Sequence, residues 1–204
     1  MDAANGEALH LLGVIAHRSN RNEAAVELVK RAIAADGAVA SYYNTLGYLL
    51  RRQRQYSEAI AALRQAIERQ EDYADAYNNL GIALAESGEL EAAEEAYLDA
   101  LSHRGEFPDA QNNLGNLLYR MGRVDEALAA YDAATTLRPG HAEAYSNRGD
   151  AFVNQGKGDE AWRRMARRSR RRRTGATPGS NSVIHCSRMT SWSAHCRRSS
   201  AISI

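Results

Sequence analysis

Leucine-glycine pairs recur along this chain at a fixed step. Leu12-Gly13, Leu46-Gly47, Leu80-Gly81 and Leu114-Gly115 stand 34 residues apart, and Gly149 continues the series. A constant step of this length marks a chain built as a stack of like units. The units begin at Gly6, Ala40, Ala74, Pro108 and Ala142. Counting from those residues, alanine holds position 20 in all five units: Ala25, Ala59, Ala93, Ala127 and Ala161. It holds position 27 in the first four (Ala32, Ala66, Ala100, Ala134), where the fifth has Arg168. Bulkier residues hold position 24: Val29, Leu63, Tyr97, Tyr131 and Met165. Small residues mark where helices must approach closely, and bulky ones fill the gaps between them.

The spacing inside a unit predicts two helices. In the third, Tyr77, Leu80, Ile82 and Leu84 fall at helical spacing between Asp75 and Ser87, and a second helical run spans Leu90 to His103. Gly88 lies between them, and Gly122 and Gly156 share its position. A glycine just past a helix end adopts the left-handed conformation cheaply. Asn20 occupies that position in the first unit, and asparagine is the next best tolerated residue there. Arg54 breaks the pattern in the second. Pro108 opens a helix and Pro139 falls between units, both places where proline costs little. No stretch alternates as a strand would, so the fold class is all-α.

The whole pattern, Tyr-x2-Leu-Gly-x2-Tyr/Leu followed by Ala-x3-Tyr/Leu-x2-Ala, resembles the tetratricopeptide (TPR) repeat family over roughly residues 6–162, with a fifth repeat that is incomplete. The resemblance implies a right-handed α-solenoid of helix-turn-helix repeats. It implies a protein-protein interaction scaffold, not an enzyme, with the first helix of each repeat lining a concave groove. Positions 2, 5, 6, 9, 12 and 13 would then face a protein or extended peptide. Position 5 carries Asn44, Asn78 and Asn112, position 6 carries Asn79, Asn113 and Asn147, and position 9 carries Asn116 and Asp150. An asparagine amide both donates and accepts, so it can hold a peptide backbone without reading side chains. The bland alternative is that these amides bond the neighbouring repeat. Three neutral hydrogen bonds net about 2–4 kcal/mol, whereas micromolar affinity requires about 8 kcal/mol. The asparagine ladder alone therefore cannot hold a partner.

The asparagines also bear on which binding mode applies. A clamp for a terminal carboxylate needs lysine or arginine among them. No lysine stands beside Asn112, Asn116 or Asn147; Asp109, Glu143 and Asp150 make that end acidic, and the first two repeats offer Arg51 and Arg52 instead. The segments Ala8-Leu-His-Leu-Leu-Gly-Val-Ile-Ala16 and Ala76-Tyr-Asn-Asn-Leu-Gly81 look like bacterial TPR proteins related to O-linked N-acetylglucosamine transferases. There the resemblance implies that Asn79, Asn113 and Asn147 hold a substrate peptide for a glycosyltransferase domain. This chain would be the recruiting arm alone.

Charge divides the chain. Residues 1–162 hold 15 Lys+Arg and 25 Asp+Glu, a net of −10, whereas residues 163–204 hold 11 arginines and no acid, a net of +11. All 18 leucines precede residue 138. The arginine- and serine-rich stretch 163–204 therefore lacks the apolar content to build a core and is expected to be disordered. The loss of alanine at Arg168, and the sudden excess of Arg, Ser, Trp, Cys and His, is what GC-rich DNA gives when read out of frame. A frameshift fits that change best; a genuine basic tail able to bind nucleic acid by counterion release is the other reading. On the frameshift reading, removal of residues 163–204 should leave the thermal midpoint nearly unchanged and improve solubility.

No catalytic constellation is present: no phosphate-binding glycine loop, nucleophile elbow or HExxH. His10 and His17 lack further ligands, and the adjacent pairs His185-Cys186 and His195-Cys196 fit zinc spacing poorly. No metal, cofactor or small-molecule substrate is expected. No segment has the roughly 18 apolar residues needed to span a bilayer, and a solenoid without cysteine is compatible with a reducing cytoplasm, so the expected location is cytoplasmic.

Overall fold

The computed structural model describes residues 3–154, which contain nine helices and no strand. In chain order they are α1 (Ala3–Arg18), α2 (Asn22–Ala35), α3 (Ala40–Arg52), α4 (Tyr56–Arg69), α5 (Ala74–Ser87), α6 (Leu90–His103), α7 (Pro108–Arg120), α8 (Val124–Leu137) and α9 (Ala142–Asn154). The fold is an α-solenoid of helix pairs, with α1/α2, α3/α4, α5/α6 and α7/α8 as repeats one to four and α9 opening the fifth. The remainder of the fifth repeat, from Gly156 through Ala161, Met165 and Arg168, lies outside the described residues. So does 163–204, for which disorder is expected.

Each repeat is closed by the same small set of contacts. The position-8 glycines lie against the bulky residue at position 24 of the second helix. A Cβ on Gly81 would stand 2.6 Å from the Tyr97 ring, and one on Gly115 would stand 2.6 Å from the Tyr131 ring. Gly47 meets Leu63 and Gly13 meets Val29 in the same way. The alanines at positions 20 and 27 are fully buried in all four complete repeats. Glycine and alanine thus let the paired helices approach, and one large side chain per repeat fills the space.

The turns between paired helices repeat as faithfully. The amides of Arg21, Gln55, Glu89 and Arg123 donate to the carbonyls of Ala16, Leu50, Leu84 and Leu118 at 2.9–3.0 Å. The residue before each takes positive φ: Asn20 +59°, Arg54 +62°, Gly88 +99° and Gly122 +78°. Arg54 breaks the residue pattern but not the backbone; its side chain is exposed and the turn still closes around it.

Second helices pack on the first helix of the next repeat (α2 on α3, α4 on α5, α6 on α7, α8 on α9), and first helices pack directly on one another (α1·α3, α3·α5, α5·α7, α7·α9). No two second helices make comparable contact. The row α1, α3, α5, α7, α9 is therefore the tighter side of the stack and forms its concave face. Among the described residues no helix is long and apolar enough to cross a membrane.

Candidate functional site

The concave face is knitted by side-chain bonds between residues 35 apart, each joining position 6 of one repeat to position 5 of the repeat before it. Asn79 Nδ2 donates to Asn44 Oδ1 (2.8 Å), Asn113 Nδ2 to Asn78 Oδ1 (3.0 Å) and Asn147 Nδ2 to Asn112 Oδ1 (3.0 Å). His10 Nε2 and Thr45 Oγ1 form the same rung at 2.8 Å in the first repeat. Two helical turns further along, a second set of rungs crosses positions 12 and 13. Arg51 Nη1 donates to Glu86 Oε1 at 2.7 Å, and Arg120 Nη1 donates to the Ala85 carbonyl at 3.1 Å. Positions 5/6, 9 and 12/13 lie on one face of a helix because its neighbours recur every three to four residues. The face between the two sets of rungs is the floor of the groove.

The two asparagine columns play different parts. Asn78 and Asn112 are buried at 8% and 2% exposure. Their oxygens receive the next repeat's amides, and Asn112 Nδ2 reaches Glu143 Oε1 at 3.2 Å. Asn44 is half-buried and donates to the Tyr73 hydroxyl at 3.3 Å. These position-5 residues bind the stack together, so of the sequence-derived set they reach a ligand least. Asn79, Asn113 and Asn147 are half-buried. Each is anchored through Nδ2, and no hydrogen bond to its Oδ1 is present among the described residues. Asn116 is half-buried and accepts from the Tyr131 hydroxyl at 2.8 Å. Asp150 is exposed on α9.

The floor changes character along the stack. Position 9 runs Val14, Tyr48, Ile82, Asn116, Asp150: half-buried and apolar or aromatic in the first three repeats, polar and then charged in the last two. Burial pushes the Tyr131 hydroxyl up to about 12, with Tyr119, Asp150 and Glu143 adding in the same direction. Burial also lowers the pKa of His10 while Glu7 opposes it. The His10 ring lies 4.8 Å from that of Tyr42.

Sequence reasoning missed the rung partners Thr45 on His10 and Arg51 on Glu86, and the Tyr131–Asn116 bond within repeat four. For the two rungs the signal was present as polar residues paired at a step of 35, one more than the repeat length. Among the described residues no three metal-ligating side chains converge. A depression of about 370 Å³ between α6, α7 and α8 is lined by Leu98, Leu114 and Leu118 and edged by Arg123 with Glu94 and Glu126. It opens between repeats, away from the asparagine face.

Family models described as tetratricopeptide or TPR repeats match residues 6–38, 44–111 and 115–156. No curated protein sequence matches the chain. Among solved structures, MamA is 25% identical with a TM-score of 0.67, covering 80% of this chain and 97% of its own. YrrB, titled a TPR protein with an unusual peptide-binding site, is 23% identical with a TM-score of 0.58, covering 73% and 77%. The first TPR of Spaghetti (RPAP3), bound to the HSP90 peptide SRMEEVD, is 18% identical with a TM-score of 0.58, covering 60% and 97%.

Proposed function

We propose, since this chain belongs to the tetratricopeptide repeat family, that its concave face holds an extended segment of a partner protein. The observation that carries this reading is the column Asn79, Asn113, Asn147. Each amide is fixed by its bond to the preceding repeat, and each keeps a carbonyl oxygen with no hydrogen bond among the described residues, free to accept from a bound chain. Packed helices stand about 8–10 Å apart, and an extended chain advances about 3.3 Å per residue, so successive asparagines meet roughly every third residue of such a segment. An acceptor at that interval suits backbone N–H groups and is indifferent to side chains.

Proteins of like fold support the idea. YrrB carries a peptide-binding site and the RPAP3 unit holds a bound peptide. The alternative in which the same column recruits substrate for a glycosyltransferase uses the same contacts, so one binding experiment serves both. Panning a random 12-residue peptide library on the full chain should enrich ligands. Their affinity should fall tenfold or more in the triple variant Asn79→Ala/Asn113→Ala/Asn147→Ala, on the strength of about 0.5–1.5 kcal/mol per lost hydrogen bond. A triple variant that melts normally and binds every enriched peptide unchanged would remove the column from the site.

A further inference from the structure

Backbone contacts through three asparagines fall short of useful affinity, so side chains must contribute, and the groove is not uniform in what it offers them. Its first three repeats have an apolar floor of Val14, Tyr48 and Ile82. Beside this floor run cations. Arg51 is taken up by Glu86 at 2.7 Å. In the rung pattern, position 13 of one repeat reaches position 12 of the repeat before it, as Glu86 reaches Arg51 and Arg120 reaches the Ala85 carbonyl. By that rule Arg52 should reach His17. His17 is instead held by Asn22 Oδ1 at 2.9 Å and stands edge-on to the Tyr48 ring at 5.4 Å. The rung is missing. Arg52 is exposed with no hydrogen-bond or ion-pair partner among the described residues, and Arg18, at the equivalent position of the first repeat, is exposed beside it in the stack.

The sign reverses only at α9: repeat four still carries the exposed Arg120, which is bonded to the Ala85 carbonyl and lies toward repeat three. Asp75 and Asp109, the carboxylates of repeats three and four at position 2, are each neutralised by a two-pronged arginine. Arg104 grips Asp75 at 2.6 and 3.0 Å, and Arg138 grips Asp109 at 2.8 and 2.9 Å. Arg148, the one cation within α9, is buried and turned to Asp132 at 2.9 Å. That leaves Asp150 and Glu143 exposed on α9: Glu143 takes only the Asn112 amide, and Asp150 has no ion pair among the described residues. Glu7 is the one exposed acid at the opposite end of the groove face. It lies eleven residues before Arg18 on α1, about 16 Å along the helix, so it does not cancel the Arg18–Arg52 edge.

We infer that the segment held by this groove is bipolar: an acidic end bearing apolar side chains lies over repeats one to three, and a basic end lies over α9, the start of repeat five. This rests on the peptide-groove reading above and adds to it the chemistry of the partner. Charges at the rim of such a groove set orientation and choice of partner more than raw affinity.

The test uses the full chain and four labelled 12-residue peptides with one Leu-Ala-Leu centre, followed by fluorescence anisotropy at low ionic strength. One peptide is acidic at one end and basic at the other, one acidic at both ends, one basic at both ends and one uncharged. The bipolar peptide should bind most tightly. Arg52→Glu and Asp150→Lys should each weaken it about three- to fivefold, as rim charge pairs do, with the effect fading in salt. The quadruple variant Arg18→Glu/Arg52→Glu/Glu143→Lys/Asp150→Lys, which reverses both ends, should recover most of the wild-type affinity, because the reversed groove accepts the same peptide turned end for end. A structural defect would leave the quadruple variant weaker than either single. That outcome, or an uncharged peptide that binds as tightly as the bipolar one, overturns the charge order while leaving peptide binding in place. Failure of all four peptides while library-selected peptides bind also overturns it. Failure of both sets removes the groove reading itself.

Discussion

The position-8 glycines illustrate how much one missing methyl group decides. A Cβ on Gly81 would meet three atoms of the Tyr97 ring at 2.6, 2.7 and 3.0 Å. Alanine is the better helix former by about 0.8–1 kcal/mol, but forcing a methyl into a packed contact costs about 1–3 kcal/mol, so overpacking wins. Gly81→Ala should lower stability in urea denaturation, while Gly105→Ala, where nothing lies within 4 Å, should not. The sign should reverse in a Tyr97→Ala background, where the ring is gone and only helix propensity remains. If Gly81→Ala is equally harmful there, the contact is not the cause. The same tyrosines predict alkaline lability. Burial holds the Tyr97 hydroxyl far above its usual range and Tyr131 at about 12, against about 10 in an unfolded chain. A raised folded pKa stabilises below pH 10, and that contribution is lost as pH rises toward 12. Tyr97→Phe/Tyr131→Phe should flatten the decline in thermal midpoint over that window; an unchanged slope would show that other groups set it. Glycine and tyrosine positions were legible in the sequence because the 34-residue step lays them side by side. The Tyr131–Asn116 bond was not, because it spans 15 residues within one repeat and depends on side-chain direction.

Helices and turns were the most readable level. The apolar spacing of α5 and α6 and the glycine between them give the observed bounds, with α5 beginning one residue earlier, at Ala74. Residue identity misleads only at Arg54, where turn geometry imposed by the flanking helices overrides the preference of the side chain. A non-glycine residue in the left-handed region carries about 1–2 kcal/mol of strain, partly offset because glycine gains more freedom in the unfolded chain. Arg54→Gly should therefore stabilise by roughly 1 kcal/mol, and Gly88→Ala, whose Cβ would meet nothing within 4 Å, should destabilise by about the same amount. Both are read from denaturant midpoints. A neutral Arg54→Gly would mean the strain is relieved elsewhere. The division of labour between the asparagine columns belongs to this level too. Repeat position cannot distinguish position 5 from position 6, since both point into the same face. Only the offset of adjacent first helices decides that Asn112 is covered and Asn113 is not.

At the scale of the whole stack, the informative comparison is between equivalent residues in the middle and at the end. Leu46, Leu80 and Leu114 share a repeat position and are 9%, 7% and 7% exposed, each on a first helix that packs against the second helix of the preceding repeat. Leu12 holds the same position on α1 and is 51% exposed; Ile15 is 54% exposed where Leu49, Ala83 and Leu117 are at 2%, 0% and 1%. The residue type follows the repeat, and the burial follows the neighbour, which is why a per-repeat pattern makes Leu12 look like core. In a linear stack, stability is a sum of repeat and interface terms, so the end residues should count for less. Leu46→Ala should cost about 2–5 kcal/mol, as buried leucine truncations do, whereas Leu12→Ala should cost under about 1 kcal/mol. The measurement is a pair of urea titrations, each run at two protein concentrations. Equal losses that grow with concentration would mean that the α1 face is covered in solution by another copy of the chain. A small loss at Leu12, independent of concentration, would establish that face as an open end of the stack.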